Sequence, residues 1–344
     1  VNPARAQSLK DRYLAHMRGR PFRPARWCHG SHAQTIWGPL FRKSRTPRLR
    51  TERLRARDGV PLTLRHLDGP HTAPRVLLLH GLEGSAASHY IAGMLRVLAR
   101  RKWRATVFEF RTCDGAMPRG RQLYHSGATD DLDVVVRDLA ARDARAPFFV
   151  AGYSMGGNVL GKWLGESHQD AGIHGAALVS VPYVLRECGP EIDRRLGGIY
   201  SRRFLRTLIP KAKLKSQEFP DLLDGERIAR ANTIVEYDDV VTAPLHGFAD
   251  VWDYYDKSSC RQFLDRVRVP TLLLSSSDDP MVPAHTFPHE AAKRSPYLVP
   301  VCVAQGGHIG FVSGSAPWRV RYWGEERVMT WFSTVARSAR ASRE

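Results

Sequence analysis

The chain has 344 residues, 43% hydrophobic and 25% charged, ordinary globular values that exclude wholesale disorder. Its 52 Lys and Arg against 34 Asp and Glu leave a net charge of +18. Residues 1–57 hold 15 basic side chains and only two acidic ones, Asp11 and Glu52, so 13 of the 18 surplus charges lie before Asp58, most of them in a basic N-terminal arm, residues 1–50, and the body is nearly balanced.

A helix is predicted around Ala6–Arg18, then an irregular stretch punctuated by Pro21, Pro24 and Pro39. Glu52–Arg57 and Pro61–His66 alternate like a hairpin around Asp58-Gly59. Arg75–His80 (RVLLLH) is a short continuous apolar run, the pattern of a strand buried on both faces. Tyr90–Arg101 has helical spacing and Ala105–Phe110 reads as a strand. Asp130–Ala141 reads as a helix whose acidic first turn suits the macrodipole. Pro147–Gly152 is a strand, Met155–Gly165 a helix and Ala176–Val181 a strand.

The alternation then stops. Residues 183–265 mix aromatics, Arg and Asp without an apolar strand. It resumes with the strand Thr271–Ser275, a helix near His289–Lys293, the strand Leu298–Ala304 and a closing helix from about Arg319. This pattern predicts an α/β fold: a mostly parallel central sheet with helices on both faces. Residues 51–182 and 262–340 form the core, and residues 183–261 are an insertion that caps the sheet's C-terminal edge, where such sheets bind ligands.

No run approaches the length that spans a bilayer; the longest, Gly175–Leu185, is strand-sized and contains Pro182. The N-terminal residues show no apolar signal region. Five widely spaced cysteines, Cys28, Cys113, Cys188, Cys260 and Cys302, fit neither a disulfide framework nor a zinc pattern. A cytoplasmic protein is expected. No P-loop or strand-linked G-x-G-x-x-G appears, so no cofactor is expected. No metal is expected either: Glu236–Asp239 (EYDD) is read as helix capping or loop bonding.

The sharpest motif is Gly152-Tyr153-Ser154-Met155-Gly156, a G-x-S-x-G between a predicted strand and helix. A side chain at either glycine would clash with the neighbouring strand or helix, and the turn would hold Ser154 exposed above the sheet. Serine needs a base to be a nucleophile. Asp278-Asp279-Pro280 and Gly306-Gly307-His308 follow in the expected order, each just past a strand. His308 is the candidate general base. Asp279 is the preferred orienting acid, because Asp279-Pro280-Met281-Val282-Pro283 has the form of an acid-bearing loop; Asp278 becomes a loop or capping residue. The oxyanion hole is assigned to the backbone N–H groups of Leu82, in His80-Gly81-Leu82-Glu83-Gly84, and Met155. His80 is read as a loop-packing residue, Tyr124–Gly127 and Asp130-Asp131 as structural, and Cys113 as no nucleophile.

The motifs together resemble the YheT-like branch of the α/β-hydrolases, relatives of the ABHD-type lipid hydrolases. The resemblance runs from about Pro21 to Phe332. It rests on His32-Ala33-Gln34-Thr35, HGLEG at His80–Gly84, YHSG at Tyr124–Gly127, TDDL at Thr129–Leu132, GYSMGGN at Gly152–Asn158, and GGHIGF at Gly306–Phe311. EYDD, TAPLHGF at Thr242–Phe248, DYY at Asp253–Tyr255 and DDP at Asp278–Pro280 add to it. One departure is visible: Thr112, in Phe110–Gly115, stands where relatives carry a glycine. The resemblance implies an α/β-hydrolase fold with Ser154 as nucleophile, His308 as base and an aspartate of the DDP motif.

The expected activity is carboxylic-ester hydrolysis through an acyl-enzyme, on short- to medium-chain acyl esters. The alternatives are a lipase or phospholipase acting on membrane lipids, a thioesterase or acyltransferase on the same residues, or a binding protein on a hydrolase scaffold. The expected partner is a small-molecule ester or lipid. No obligate protein partner is expected. Nucleic acid is not, since no nucleic-acid motif accompanies the charge. Attraction of the basic arm to anionic headgroups is a further expectation.

Overall fold

The computed structural model describes residues 2–42, 45–166 and 171–340. The arm forms two helices, α1 (Pro3–Arg18) and α2 (Ser31–Phe41). A hairpin of β1 (Arg50–Arg55) and β2 (Pro61–Leu67) follows, with Arg55 opposite Pro61 and Gly59 at φ +82° in the turn. Next come β3 (Arg75–Leu79), α3 (His89–Arg100), β4 (Arg104–Glu109), α4 (Asp130–Arg142), β5 (Phe148–Tyr153), α5 (Met155–Gly165) and β6 (Gly175–Val179). The stretch between β6 and the next strand is helical: α6 (Leu185–Arg194), α7 (Ile199–Glu218), α8 (Gly225–Arg230), α9 (Ile234–Tyr237), α10 (Ala243–His246) and α11 (Val251–Ser258). The chain closes with β7 (Thr271–Ser276), α12 (His289–Arg294), β8 (Leu298–Val303), a small hairpin of β9 (Val312–Ser313) and β10 (Arg321–Tyr322), and α13 (Trp323–Arg340).

The sheet runs β1-β2-β4-β3-β5-β6-β7-β8. β1 and β2 pair antiparallel, β2 pairs antiparallel to β4, and every later pair is parallel. β5 is buried at every residue, as a central parallel strand must be. Each sheet face carries an apolar layer. One holds Phe108, Val135, Leu160 and Trp163; the other holds Leu95, Phe149, Trp331 and Phe332.

Two differences from the sequence expectations concern the ends of the chain. The stretch around Pro39 is helical, not irregular. Pro39 removes one N–H from the last turn of α2, and the tertiary hydrogen bonds of buried Gln34 and Thr35 hold the helix. The closing helix starts at Trp323 because Arg321 and Tyr322 pair with Ser313 and Val312 first.

The arm docks on the body through its first helix. α1 packs on α13 and β8. It buries Ala6, Leu9 and Tyr13, with the Tyr13 and Trp331 rings 5.2 Å apart. Lys10 Nζ donates to the carbonyls of Ala292 and Ser295 at 2.6 and 2.8 Å. Arg42, at the end of α2, forms an ion pair with Glu325 in which both side chains are 10% exposed. Lys43 lies outside the described residues.

Candidate active site

The C-terminal ends of β3, β5, β7 and β8 converge on one edge, and the candidate residues sit on the loops that leave them. Ser154 stands between β5 and α5 at φ +51° and ψ −124°. That strained conformation for a side chain with a Cβ is a common device of functional sites. The turn is possible only with glycines beside it: a Cβ on Gly152 would lie 2.5 Å from the carbonyl oxygen of Gly156, and one on Gly156 would strike the carbonyl of His80. Ser154 N–H donates to the Val179 carbonyl at 2.8 Å, which ties the elbow to β6.

His308 Nε2 lies 2.9 Å from Ser154 Oγ. His308 Nδ1 lies 2.9 and 3.1 Å from the two carboxylate oxygens of Asp279. Asp279 is 6% exposed and also accepts the Met281 N–H at 2.9 Å. Asp278 points elsewhere, accepting the Gly307 N–H at 2.9 Å. The residue preferred as the acid therefore faces the histidine, and its neighbour anchors the loop that carries it.

Leu82 and Met155 line the same cavity as Ser154 and His308. In the Leu82 loop, Gly81 N–H donates to Tyr90 Oη at 2.8 Å, Glu83 N–H to Tyr124 Oη at 3.0 Å and Gly84 N–H to the Gly81 carbonyl at 3.0 Å. The Leu82 N–H has no acceptor among the described residues. Met155 is the first residue of α5, where helix N–H groups lack intrahelical partners and the dipole favours negative charge. His80 is fully buried. Its Nε2 accepts the Phe110 N–H at 3.2 Å and its Nδ1 donates to the Gly81 carbonyl at 2.8 Å. Burial pushes its pKa down to about 4, so it stays neutral and structural. Burial likewise pushes the Cys113 thiol up to about 12, which removes its thiolate.

Sequence reasoning missed what holds His308. Gly307 N–H bonds Asp278, His308 N–H bonds Thr35 Oγ1 at 2.9 Å, and Ile309 N–H bonds Ser180 Oγ at 3.0 Å. The Gly307 carbonyl accepts from Ser276 Oγ at 2.9 Å. Gln34 clamps the far end: its Oε1 accepts the Val312 N–H at 2.6 Å, and its Nε2 donates to the carbonyls of Val312 and Cys28, both at 3.0 Å. Gly307 sits at φ +59°, and a Cβ there would press on Ser31 and Thr35. α2 is therefore the outer wall of the histidine loop. The signal in the sequence was His32-Ala33-Gln34-Thr35, noted but not given a role.

Backbone strain gathers here. Glu83, Thr112, Ser154, Ser180, Ile309 and Phe311 all have positive φ, and each lies on a loop that builds or braces the site. Thr112, where a glycine was expected, adopts φ +69° and lines the cavity, so its side chain forms part of the wall.

The helices between β6 and β7 roof the cavity, whose volume is about 100 Å³. Leu185, Ile192, Phe204, Leu208 and Val241 make much of the roof apolar. Lys211 of α7 donates to both Glu83 carboxylate oxygens at 2.8 and 2.7 Å, tying the roof to the Leu82 loop. The EYDD residues act as expected in part: Glu236 completes a capping box with Thr233, and Asp239 accepts the Val251 N–H at 3.2 Å. Asp238 was not foreseen as a cavity residue. It lines the cavity and accepts hydrogen bonds from Thr242 and Tyr255 at 2.6 and 2.8 Å, and burial raises its pKa to about 7.

Residues 74–315 match the family model described as alpha/beta hydrolase fold. The chain is 32% identical over 318 residues to "Putative esterase YheT" of Escherichia coli (strain K12), covering 91% of this chain and 93% of that protein. It is 31% identical over 308 residues to Phospholipase ABHD3 of Mus musculus, covering 87% of this chain and 75% of that one. Among solved structures, the Pyrococcus furiosus esterase Pf2001 superposes with a TM-score of 0.53 at 16% identity, over 83% of this chain and 89% of that one. With its strand order, its Ser154 elbow and these relatives, the chain belongs to the α/β-hydrolase family, in the YheT-like branch.

Proposed function

We propose that the protein is a serine carboxylic-ester hydrolase acting on short- to medium-chain acyl esters. The single observation that carries this is His308 hydrogen-bonded between Ser154 and Asp279. Ser154 Oγ attacks the ester carbonyl while His308 Nε2 takes its proton. Asp279 holds Nδ1–H and stabilises the imidazolium. The carbonyl electrons move onto oxygen, which the N–H groups of Leu82 and Met155 stabilise. Collapse of this intermediate expels the alcohol, which takes the proton from His308 and leaves an acyl group on Ser154. Water, deprotonated by His308, then releases the acid and restores the serine.

The small apolar cavity supports one modest acyl chain. A second reading, a lipase or phospholipase, draws on the relative named Phospholipase ABHD3 and requires the roof to move to admit a two-chain lipid. The five unpaired cysteines support a cytoplasmic setting, and no described helix is long and apolar enough to cross a membrane.

Hydrolysis of nitrophenyl esters of increasing acyl length, beside a long-chain phospholipid, tests the proposal. Activity should peak at short to medium chains. Ser154→Ala should lower kcat by roughly four to six orders of magnitude. Full activity in that variant would end the serine mechanism, and a preference for the phospholipid would favour the second reading.

A further inference from the structure

α7 has two faces of different chemistry. Its inner face buries Tyr200, Leu205 and Ala212 and sends Phe204, Leu208 and Lys211 to the cavity. Successive helix residues turn by about 100°, so Ile199, Arg202, Arg203, Arg206, Lys213 and Leu214 share the opposite stripe, and all six are exposed. That stripe carries four cations and no acid. None of the four has an ion pair or hydrogen bond among the described residues. The nearby carboxylates are already occupied: Glu191 by Arg194 and Arg195, Asp193 by Ser201 and the N–H groups of Ile234 and Val235, and Glu218 by Lys215. On either side of the cations, Ile199 and Leu214 stand 51% and 54% exposed, with Leu196 at 40% just before the helix.

Elsewhere this Arg-rich chain neutralises many of its cations, as at Arg42, Arg65, Arg104 and Arg111. A 20-residue helix with unpaired cations flanked by apolar side chains is suited to lie in the plane of a bilayer surface. Its cations would meet anionic headgroups and its apolar side chains would enter the headgroup boundary. A nucleic acid would meet the four cations but would leave no reason for the exposed Ile and Leu beside them.

We propose that the outer face of α7 is a docking surface for anionic lipid bilayers, holding the roof of the Ser154 cavity against the membrane. The surface is separate from the catalytic reading, since no residue in it touches the cavity.

The experiment is co-sedimentation with vesicles of phosphatidylcholine and phosphatidylserine, against phosphatidylcholine alone, with duplex DNA as the competing polyanion. Wild type and Ser154→Ala should bind the mixed vesicles equally and the neutral ones weakly. Arg202→Gln/Arg203→Gln/Arg206→Gln should weaken binding about 100-fold at an unchanged unfolding midpoint. Ile199→Ser/Leu214→Ser should weaken vesicle binding about tenfold and leave DNA binding unchanged. Wild type that ignores mixed vesicles, or a triple variant that binds them undiminished, overturns the proposal. DNA bound more tightly than vesicles, with no effect of the Ile199 and Leu214 changes, assigns the face to nucleic acid instead.

Discussion

The serine side and the histidine side of the site are built in opposite ways. Ser154 is held mostly by its own neighbourhood: two glycines within two residues, one strand before it and one helix after it, with a single tie to β6 at Val179. His308 is held by residues from across the chain, with Thr35 and Gln34 bonded over 273 and 278 positions and Ser180 over 129. A nucleophile on a strained turn can be pre-set by local backbone geometry. A base that must meet a serine and an aspartate from other strands needs bracing from outside, and α2 supplies it. The basic arm thus divides its work. Its charge is mostly solvated or paired, while buried Gln34 and Thr35 brace the His308 loop.

Substitutions can break this contrast in order of severity. Asp279→Asn should lower kcat about 10⁴-fold by losing the acceptor that fixes the His308 tautomer. Asp278→Asn should cost far less, because it disturbs one loop N–H; steady-state rates of the two variants measure the gap. Gln34→Ala strips three hydrogen bonds, leaving the Val312 N–H and the Cys28 carbonyl without their Gln34 partner while the Val312 carbonyl keeps the Ala25 N–H, which should cost about 3 kcal/mol of stability. Denaturant unfolding checks this, and a loss below 1 kcal/mol would mean the loop stands without α2. Thr35→Val keeps the volume but removes the acceptor of His308 N–H. We expect kcat to fall about tenfold with KM little changed, the split that separates misplacement of the base from loss of binding.

A different kind of effect, a pH dependence, concerns the roof. Folded Asp238 keeps its proton up to about pH 7, against an ordinary value of 3.8. Between those values the folded state binds more protons than the unfolded state, so this group's contribution falls as pH rises from about 4 to 7 and is flat above. Asp238→Asn should remove that fall. Unfolding midpoints across this window test it, and parallel curves for the two proteins would contradict it.

The same contrast explains what the sequence disclosed. The elbow was legible because five consecutive residues impose its geometry, and the strand–helix alternation around it reports a parallel sheet. The order Ser154, Asp279, His308 was legible because each follows an apolar strand. The clamp of Gln34 was not, since a buried glutamine has the same letter as a solvated one and its partners lie in a loop near the other end of the chain. α2 was read as irregular because Pro39 dominates a local reading, whereas tertiary hydrogen bonds decide the helix. Asp238 looked like a capping residue because neither its neighbours nor its spacing reports that it faces a cavity.

A serine mechanism is tested most directly by the reactivity of one hydroxyl. Treating the protein with a fluorophosphonate and mapping the adduct by peptide mass should find one phosphonyl group per chain, on Ser154. Labelling should vanish in Ser154→Ala and slow in Thr35→Val. Labelling that persists in Ser154→Ala, or that maps to another serine, would contradict it.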